Sequence, residues 1–199
     1  GDTRHWGPPF EDEEAGLSAY YLSINRNKKS VAVDLKTTEG LAIIKDLIAQ
    51  CDVLIENFKV GGLERMGRGY EDLKDAFPKL IYCSISGYGQ DGPLATEPGY
   101  DFVAQGFAGL MACTGADKQP PTKVGIALAD IMTGMNAATG ILAALHAREK
   151  TGKGQLGDVA LTDTTLAALT NVAQYYLTSG NNAPRVGNAH STIVPYQDF

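Results

Sequence analysis

The chain has 199 residues, of which 44% are hydrophobic and 20% are charged, so it contains enough apolar residues to build a folded core. Lys and Arg number 17 against 23 Asp and Glu, which gives a formal net charge of -6. No basic run extends beyond Lys28 and Lys29 next to Arg26, and this argues against a nucleic-acid partner. No uninterrupted apolar stretch approaches about 20 residues, so we expect no segment that crosses a membrane.

Three cysteines are spread along the chain, at Cys51, Cys83 and Cys113. They are too few and too scattered for a disulfide framework or a zinc site, so we expect no metal. Their apolar neighbours favour buried free thiols in a reducing compartment. The first residues do not resemble a signal peptide, so we expect the protein in a bacterial cytoplasm or a mitochondrial matrix and not among secreted proteins.

The first half of the chain alternates between strand and helix patterns. Residues 31–35, 52–56 and 80–85 are rich in β-branched and apolar residues and predict three strands. Residues 37–50 carry apolar residues at helical spacing and predict a helix between the first two strands. Short helices are expected between the second and third strands. Strands separated by helices are typical of a parallel sheet with right-handed crossovers.

The second half of the chain is mainly helical. Helices are predicted at residues 101–112, 127–149 and 163–178, and a strand is predicted at residues 156–160. The second of these helices is the longest, and its pattern stops at the glycines that follow it. Taken together, these elements predict an α/β protein with an open parallel sheet and flanking helices.

Residues 87–92 fit the pattern G-x-G-x-x-G and follow a predicted strand. A dinucleotide site requires a helix that begins inside this motif, so that the pyrophosphate meets the helix N-terminus. Here Pro93 follows at once, and helical periodicity resumes only near residue 101. We therefore interpret these glycines as a tight turn that exposes backbone N–H groups near a ligand.

Asp130 is the carboxylate most worth examining, because it lies at the apolar start of the longest helix. One interpretation is an N-cap residue that satisfies backbone N–H groups. The other is a covalent nucleophile, kept ionised by the helix N-terminus despite its apolar neighbours. Gly134 lies one turn further on the same face and would leave room for a substrate above the carboxylate. The sequence leaves both interpretations open.

The remaining polar residues point to an anionic ligand and not to a hydrolase. The three histidines do not group with other catalytic residue types, and no serine stands in a G-x-S-x-G turn. Several basic residues lie near strand ends, where open α/β sheets bind their ligands. This recurrence favours a ligand that carries phosphate, and the residues are Arg26, Lys28, Lys29, Lys36 and Arg65.

Short motifs run through the whole chain in a fixed order. They are Asn25-Arg26-Asn27-Lys28-Lys29-Ser30-Val31, Glu56-Asn57-Phe58, Arg65-Met66-Gly67, Ser84-Ile85-Ser86-Gly87-Tyr88-Gly89, Gly99-Tyr100-Asp101, Asp130-x-x-Thr133-Gly134, Lys150-Thr151-Gly152-Lys153-Gly154-Gln155 and Arg185-x-Gly187-Asn188-x-His190. Together they resemble the class III CoA-transferase family. Residues 1–9 and 193–197 are most similar to the branch that moves CoA from succinyl-CoA to glutarate.

The resemblance implies a domain organisation. Residues 1–160 would form the main part of a large α/β CoA-binding domain without its first strand, and residues 161–199 would form a helix and a linker toward a small domain. The resemblance also implies that the chain is a fragment of a longer protein that forms an interlocked homodimer.

The resemblance implies a reaction as well, in which CoA or acyl-CoA is a substrate and no cofactor stays bound. Asp130 matches the family's catalytic aspartate, which would form an aspartyl anhydride with the donor acyl group and then an aspartyl-CoA thioester. The positions expected to contact CoA are Lys36, Asn57, Phe58, Arg65 and Met66. The acceptor would be a free carboxylic acid, such as the dicarboxylate glutarate.

Two other functions stay open on the sequence. The same fold also hosts α-methylacyl-CoA racemases, which carry Gly-His-Asp where this chain has Gly99-Tyr100-Asp101. A tyrosine, with a pKa of about 10, is a poor base at neutral pH, so Tyr100 favours the transferase. Its hydroxyl would donate a hydrogen bond to a substrate oxygen, which makes it a second catalytic candidate. The other alternative is a non-catalytic acyl-CoA-binding protein.

Overall fold

A computed structural model of the chain describes residues 1–196, and the chain divides into two units, Gly1–Gly40 and Leu41–Phe199. The first unit contains a 3₁₀ helix (Asp2–His5), the antiparallel strands β1 (Phe10–Asp12) and β2 (Leu17–Ser18), and helix α1 (Ala19–Ile24). Helix α1 begins after Ser18 because the hydroxyl of this serine accepts a hydrogen bond from the Tyr21 N–H, a standard N-cap.

The prediction of a strand at residues 31–35 is wrong. These residues adopt no strand, and Val31 is 66% exposed. A strand is stable only when a neighbouring strand takes up its backbone hydrogen bonds and a core covers its apolar face. No described residue pairs with this segment, so its β-branched composition alone does not form a strand.

From residue 38 onward, helices alternate with parallel strands. In chain order the elements are α2 (Thr38–Ile48), β3 (Val53–Glu56), a 3₁₀ helix (Glu64–Met66), α3 (Tyr70–Leu73), β4 (Ile81–Ser86), α4 (Asp101–Phe107), α5 (Leu110–Cys113), α6 (Leu128–Thr151), β5 (Leu156–Ala160), α7 (Leu161–Ala168) and α8 (Asn171–Ser179). The three strands lie in the order β3-β4-β5, and both pairs are parallel. The predicted α/β fold with a parallel sheet and flanking helices is therefore confirmed.

The centre of the sheet is β4, whose first four residues, Ile81–Ser84, are all buried. An unbroken buried run is what a central parallel strand with both faces covered requires. One apolar cluster lies against it and contains Ile48, Leu63, Leu73, Leu80 and Tyr82. A second cluster, of Ala104, Ala129 and Leu161, joins α4, α6 and α7.

Helix α6 runs antiparallel to the strands. Near its end, the Arg148 guanidinium donates to the Asp52 carboxylate at 2.8 Å and to the Lys79 carbonyl at 2.9 Å, and both partners lie just before a strand begins. The C-terminal end of α6 therefore lies at the edge where the strands begin. Its N-terminal end lies at the edge where the strands end, here called the carboxyl edge of the sheet.

Among residues 1–196, α6 is the one helix long and apolar enough to cross a bilayer by length and composition. This is a weak indication, because core helices of proteins that never enter a membrane pass the same test. Helix α6 packs against β4, β5, α4 and α7, and 22% of its most apolar 18-residue stretch is buried.

Two predicted helices are each divided into two. The helix expected at residues 101–112 is interrupted at Gly109, whose φ of 91° lies outside the helical region. The helix expected at residues 163–178 is interrupted at Thr170, with a φ of 42°. The predicted domain boundary at residue 160 stays a prediction, and residues 197–199 of its second part lie outside the described range. Helix α7, just after that boundary, packs against α4 and α6.

The cysteines agree with the prediction only in part. Cys83 is buried and Cys113 is half-buried, but Cys51 is exposed. Cys51 follows α2 in a turn, so the apolar residues beside it in sequence do not cover it. The residues that the structure describes contain no group of three or more His, Cys, Asp or Glu side chains that could hold a metal ion.

Candidate active site

Asp130 lies at the carboxyl edge of the sheet, as the third residue of α6. The N-cap residue of α6 is Ala127, three positions earlier, so the N-cap interpretation of Asp130 is wrong. The carboxylate stays free of the capping role and lies on an exposed part of the helix. A Cβ added to Gly134, one turn further, would meet no atom within 4 Å. The space beside Asp130 is therefore open along this face.

The capping oxygen of α6 comes from a distant part of the sequence. Ala127 provides no side-chain cap, but Oδ1 of Asp101 accepts the Ala129 N–H at 2.8 Å and the Asp130 N–H at 3.4 Å. These backbone N–H groups would otherwise be unsatisfied in the first turn of a helix. Asp101 therefore holds the backbone of Asp130 from the neighbouring helix α4.

The pKa of Asp130 is raised above the ordinary value for an aspartate, first because protein atoms partly surround its carboxyl group although the residue as a whole is exposed, and second by the negative charge of Asp101. This direction is opposite to the one that the helix N-terminus alone predicts. A carboxylate of raised pKa is more basic, and partial removal from water leaves it less solvated. Both properties favour attack by the carboxylate on an acyl carbon.

A close backbone crossing fixes the segment that contains Tyr100. A Cβ added to Gly99 would lie 2.2 Å from the Cα of Gly87, so only glycine fits at this contact. Gly87 follows β4, and Gly99 directly precedes Tyr100 and Asp101. Tyr100 is 70% exposed, so its hydroxyl is available to a substrate. The crossing anchors the start of α4 to the carboxyl edge.

The segment Glu56-Asn57-Phe58 is fixed to the same edge. The Asn57 side chain donates to the Ile85 carbonyl at 2.7 Å, and the Glu56 carboxylate accepts the Phe58 N–H at 2.7 Å. The other Glu56 oxygen accepts from the Ser84 hydroxyl on β4. These bonds leave the Phe58 ring 45% exposed at the end of β3.

The other residues predicted to contact CoA differ in how accessible they are. Arg65 is exposed, whereas Met66 is half-buried and packs against the apolar cluster under the sheet. Only part of the Met66 side chain is therefore available to a ligand. Lys36 lies in the first unit and is exposed. The structure thus brings Asn57, Phe58 and Arg65 to the region that follows β3.

The glycine-rich loop after β4 forms the predicted turn, but the N–H groups of Gly89 and Gln90 are paired within the protein and are not left for a ligand as predicted. No helix begins between residues 87 and 92, and Gly89 and Gly92 have φ values of 92° and 88°. The Gly89 N–H donates to the Ser86 hydroxyl and the Gln90 N–H to the Asp158 carboxylate, both at 2.9 Å. The loop is therefore tied to β4 and β5, and its geometry does not match a dinucleotide site.

Sequence reasoning assigned no role to Asp101 or to Gln105. Gln105 is fully buried, and its Nε2 donates to Oδ2 of Asp101 at 2.8 Å. Their spacing of four residues is the signal that could have paired them on a helix. The contact of Asp101 with α6 has no comparable signal in the sequence, because Asp101 and Ala129 are 28 positions apart.

An apolar cleft of about 430 Å³ lies elsewhere, between α5 and α8. Leu169, Val172 and Tyr176 are among the residues that line it. None of the residues predicted for the site lines this cleft, so the candidate site is the open carboxyl edge around Asp130.

Comparison with known proteins identifies the family. A model of CoA-transferase family III matches residues 1–199. The chain belongs to CoA-transferase family III. The human succinyl-CoA:glutarate CoA-transferase is 49% identical over 198 residues, which are 100% of this chain and 44% of the human protein. The succinate–glutarate CoA-transferase of Agrobacterium fabrum is 48% identical over 199 residues, covering 98% of this chain and 50% of the relative.

Further relatives of family III agree in fold and differ in acceptor. The acetyl-CoA:oxalate CoA-transferase of Acetobacter aceti is 41% identical over 199 residues, covering 100% of this chain and 50% of that protein. The crystal structure of a CAIB/BAIF family protein from Brucella suis matches with a TM-score of 0.91 and 49% identity, over 98% of this chain and 52% of that chain. The chain thus spans about half the length of the relatives it matches.

Proposed function

We propose that this chain carries the nucleophile of a CoA-transferase that moves CoA from an acyl-CoA thioester to a free carboxylic acid. The observation that carries the proposal is the first turn of α6, where the Asp101 cap holds the Asp130 backbone and leaves the Asp130 carboxylate beside open space. Membership of family III supports the reaction class. The relatives named for succinyl-CoA and glutarate support these two compounds as the donor and the acceptor.

The proposed reaction begins at the Asp130 carboxylate, and the raised pKa of this group supports its role as nucleophile. The Asp130 carboxylate attacks the thioester carbonyl carbon of succinyl-CoA, the C–S bond breaks, and CoA thiolate leaves. The product is a mixed anhydride of Asp130 and succinate. CoA thiolate then attacks the aspartyl carbonyl carbon, succinate leaves, and an aspartyl-CoA thioester remains.

The second half of the reaction repeats these steps in reverse. The acceptor carboxylate attacks the aspartyl thioester, CoA thiolate leaves, and a new mixed anhydride forms. CoA thiolate attacks the acceptor's acyl carbon, which releases the new CoA ester and restores the Asp130 carboxylate. The Tyr100 hydroxyl would donate a hydrogen bond to the carbonyl oxygen on which negative charge develops.

CoA would lie along the end of β3. The exposed Phe58 ring offers a flat apolar surface for the adenine, while Asn57 keeps its segment in place through the Ile85 carbonyl. Arg65 would face the phosphates. Met66 would contribute only the part of its side chain that the core leaves accessible.

An interlocked homodimer is the assembly we propose for the full-length protein. Helices α4 and α6 expose large apolar side chains, and these are Phe102, Phe107, Ile131, Met135 and Leu142. Apolar area of this kind is normally covered by another chain or segment. A covered site would also exclude water, which would hydrolyse both anhydrides. Light scattering of the full-length protein should give twice the monomer mass, and a stable monomer would contradict the assembly.

The test of the function uses the full-length protein, succinyl-CoA and a panel of dicarboxylic acids, with the acyl-CoA products separated by chromatography. We expect glutaryl-CoA to form, and Asp130→Asn to lower its rate of formation at least about 1,000-fold, because no covalent intermediate can form. Asp163→Asn is the matched control. Asp163 is also the third residue of a helix, α7, and exposed, and its substitution should leave the rate unchanged.

The same preparation separates the transferase from its alternatives. A racemase would exchange the α-proton of a 2-methylacyl-CoA in heavy water without needing an acceptor acid. A binding protein would hold CoA tightly and catalyse neither transfer nor exchange. Either result, or transfer that survives in Asp130→Asn, would contradict the proposed function.

A further inference from the structure

Gln105 is the most completely enclosed polar side chain near the candidate site, with 0% of its surface exposed. Its Nε2 donates to Oδ2 of Asp101 at 2.8 Å and to the Ile126 carbonyl at 3.3 Å, and its Oε1 accepts the Val124 N–H at 2.8 Å. A buried amide is tolerated only when its polar atoms are paired. Gln105 pairs all of them with Asp101 and with the segment that leads into α6.

The Asp101 carboxylate stands between Gln105 and Asp130. Its Oδ2 is held by Gln105, and its Oδ1 accepts the N–H groups of Ala129 and Asp130. Helix α6 has no side-chain cap of its own at Ala127. The first turn of α6 therefore depends on a carboxylate that is itself oriented by the buried amide behind it.

We propose that Gln105 is a positioning residue that acts through Asp101: it orients the Asp101 carboxylate, which holds the first turn of α6 and keeps a negative charge beside Asp130. The inference rests on the proposed function, in which Asp130 is the nucleophile. Asp101 then has two effects. Its hydrogen bonds fix the backbone of the nucleophile, and its charge disfavours the ionised form of the nucleophile.

The charge beside Asp130 has one described source. Asp101, on α4, is the charged group that raises the pKa of Asp130 in addition to burial. Helix α7 meets α6 through an uncharged pair, the hydroxyls of Thr133 and Thr164 at 2.7 Å. On β5, Asp158 is occupied by the Gln90 N–H. Removing the charge of Asp101 should therefore lower the pKa of Asp130.

The experiment compares two variants of the full-length protein by steady-state kinetics over a range of pH. Gln105→Met keeps a similar volume and removes the amide's hydrogen bonds. We expect its kcat to fall about 10- to 100-fold with the KM for succinyl-CoA changed less than about threefold, since the change displaces the nucleophile and not the CoA contacts.

Asp101→Asn removes the charge and keeps an oxygen for the α6 N–H groups, while its amide nitrogen replaces the oxygen that accepts from Gln105, so the Gln105 hydrogen bond is lost as well. The ionised form of Asp130 is the reactive one, so the rate falls as pH drops through its pKa. Without the neighbouring negative charge this pKa is lower. We therefore expect the acid limb of the kcat/KM profile to move to lower pH in Asp101→Asn.

Thr165→Val is the matched control for a merely structural effect. Thr165 is also 0% exposed, and its hydroxyl donates to the Leu161 carbonyl at 2.7 Å without contacting Asp101. It should lower the melting temperature but leave kcat and the acid limb unchanged. A Gln105→Met variant with the kcat of Thr165→Val, or an unmoved acid limb in Asp101→Asn, would overturn the positioning role.

A search for covalent adducts on Asp130 of the wild-type protein distinguishes failure of the positioning role from failure of the proposed function. If an acyl or CoA adduct forms on Asp130 while the two variants behave like the control, only the positioning role is wrong. If no adduct forms on Asp130 during turnover, the proposed function is overturned, and the role of Gln105 with it.

Discussion

Gly99→Ala should remove most of the transferase activity, because the added methyl group would collide with the backbone of Gly87. The added Cβ would lie 2.2 Å from the Cα of Gly87 and 3.3 Å from its carbonyl carbon. Ordinary contact begins at 3.4 Å, so the two backbones must separate by about 1 Å. That movement carries Tyr100 and Asp101, the next two residues, and loosens the cap of α6.

A displacement of about 1 Å at a catalytic group costs about 100-fold in rate, and overpacking of this kind costs about 1–3 kcal/mol of stability. The assay is kcat/KM for CoA transfer in the full-length protein, with thermal unfolding measured alongside. Gly140→Ala is the control, because its added Cβ meets no atom within 4 Å. Wild-type kcat/KM in a folded Gly99→Ala variant would refute the reasoning.

Three further predictions concern α6. Gly134→Ala and Gly140→Ala should each stabilise the helix by about 0.5–1 kcal/mol. Only Gly134→Ala should lower kcat/KM, about tenfold or more, because its methyl group fills the space beside Asp130. Equal kcat/KM values for the two variants would contradict this. Asp130→Asn should raise the melting temperature at neutral pH, because the raised pKa of Asp130 in the folded state makes its ionisation destabilising. A gain that persists below about pH 4, where the carboxyl group is protonated in both states, would contradict this cause. Arg148→Met should lower the free energy of unfolding by about 1–2 kcal/mol, because it leaves the Lys79 carbonyl unpaired. Asp52→Asn should lower it much less, because Asp52 is exposed. Equal losses for the two variants in urea unfolding would contradict this.

The parts of the fold that the sequence predicts correctly are those where the local pattern and the tertiary environment agree. The apolar run at residues 80–85 is a central buried strand, and the long pattern at residues 127–149 is α6, which ends at Gly152 with a φ of 70°. Residues 31–35 have the same composition as a strand but no partner among the described residues. Local composition contains no information on whether a neighbouring strand exists.

The residues of the candidate site stay predictions from motifs, and the connections between them could not be predicted from the sequence. The motifs identify Asp130 and Tyr100, and the structure brings their backbones to one end of α6 through Asp101. The N-cap interpretation of Asp130, one of the two that the sequence left open, is wrong, because a helix start looks the same in sequence whether its cap is local or comes from another helix. The contact between Gly87 and Gly99 could not be predicted from the sequence either, because no local pattern indicates that these two loop positions meet.

The most direct test of the account is a search for the covalent intermediate on Asp130. The full-length protein is incubated with succinyl-CoA, quenched during turnover and digested, and the peptide that contains Asp130 is examined by mass spectrometry. The account predicts that this peptide carries the mass of CoA or of the succinyl group, and that Asp130→Asn carries neither. An unmodified Asp130 peptide during active turnover, or an adduct on another residue, would contradict it.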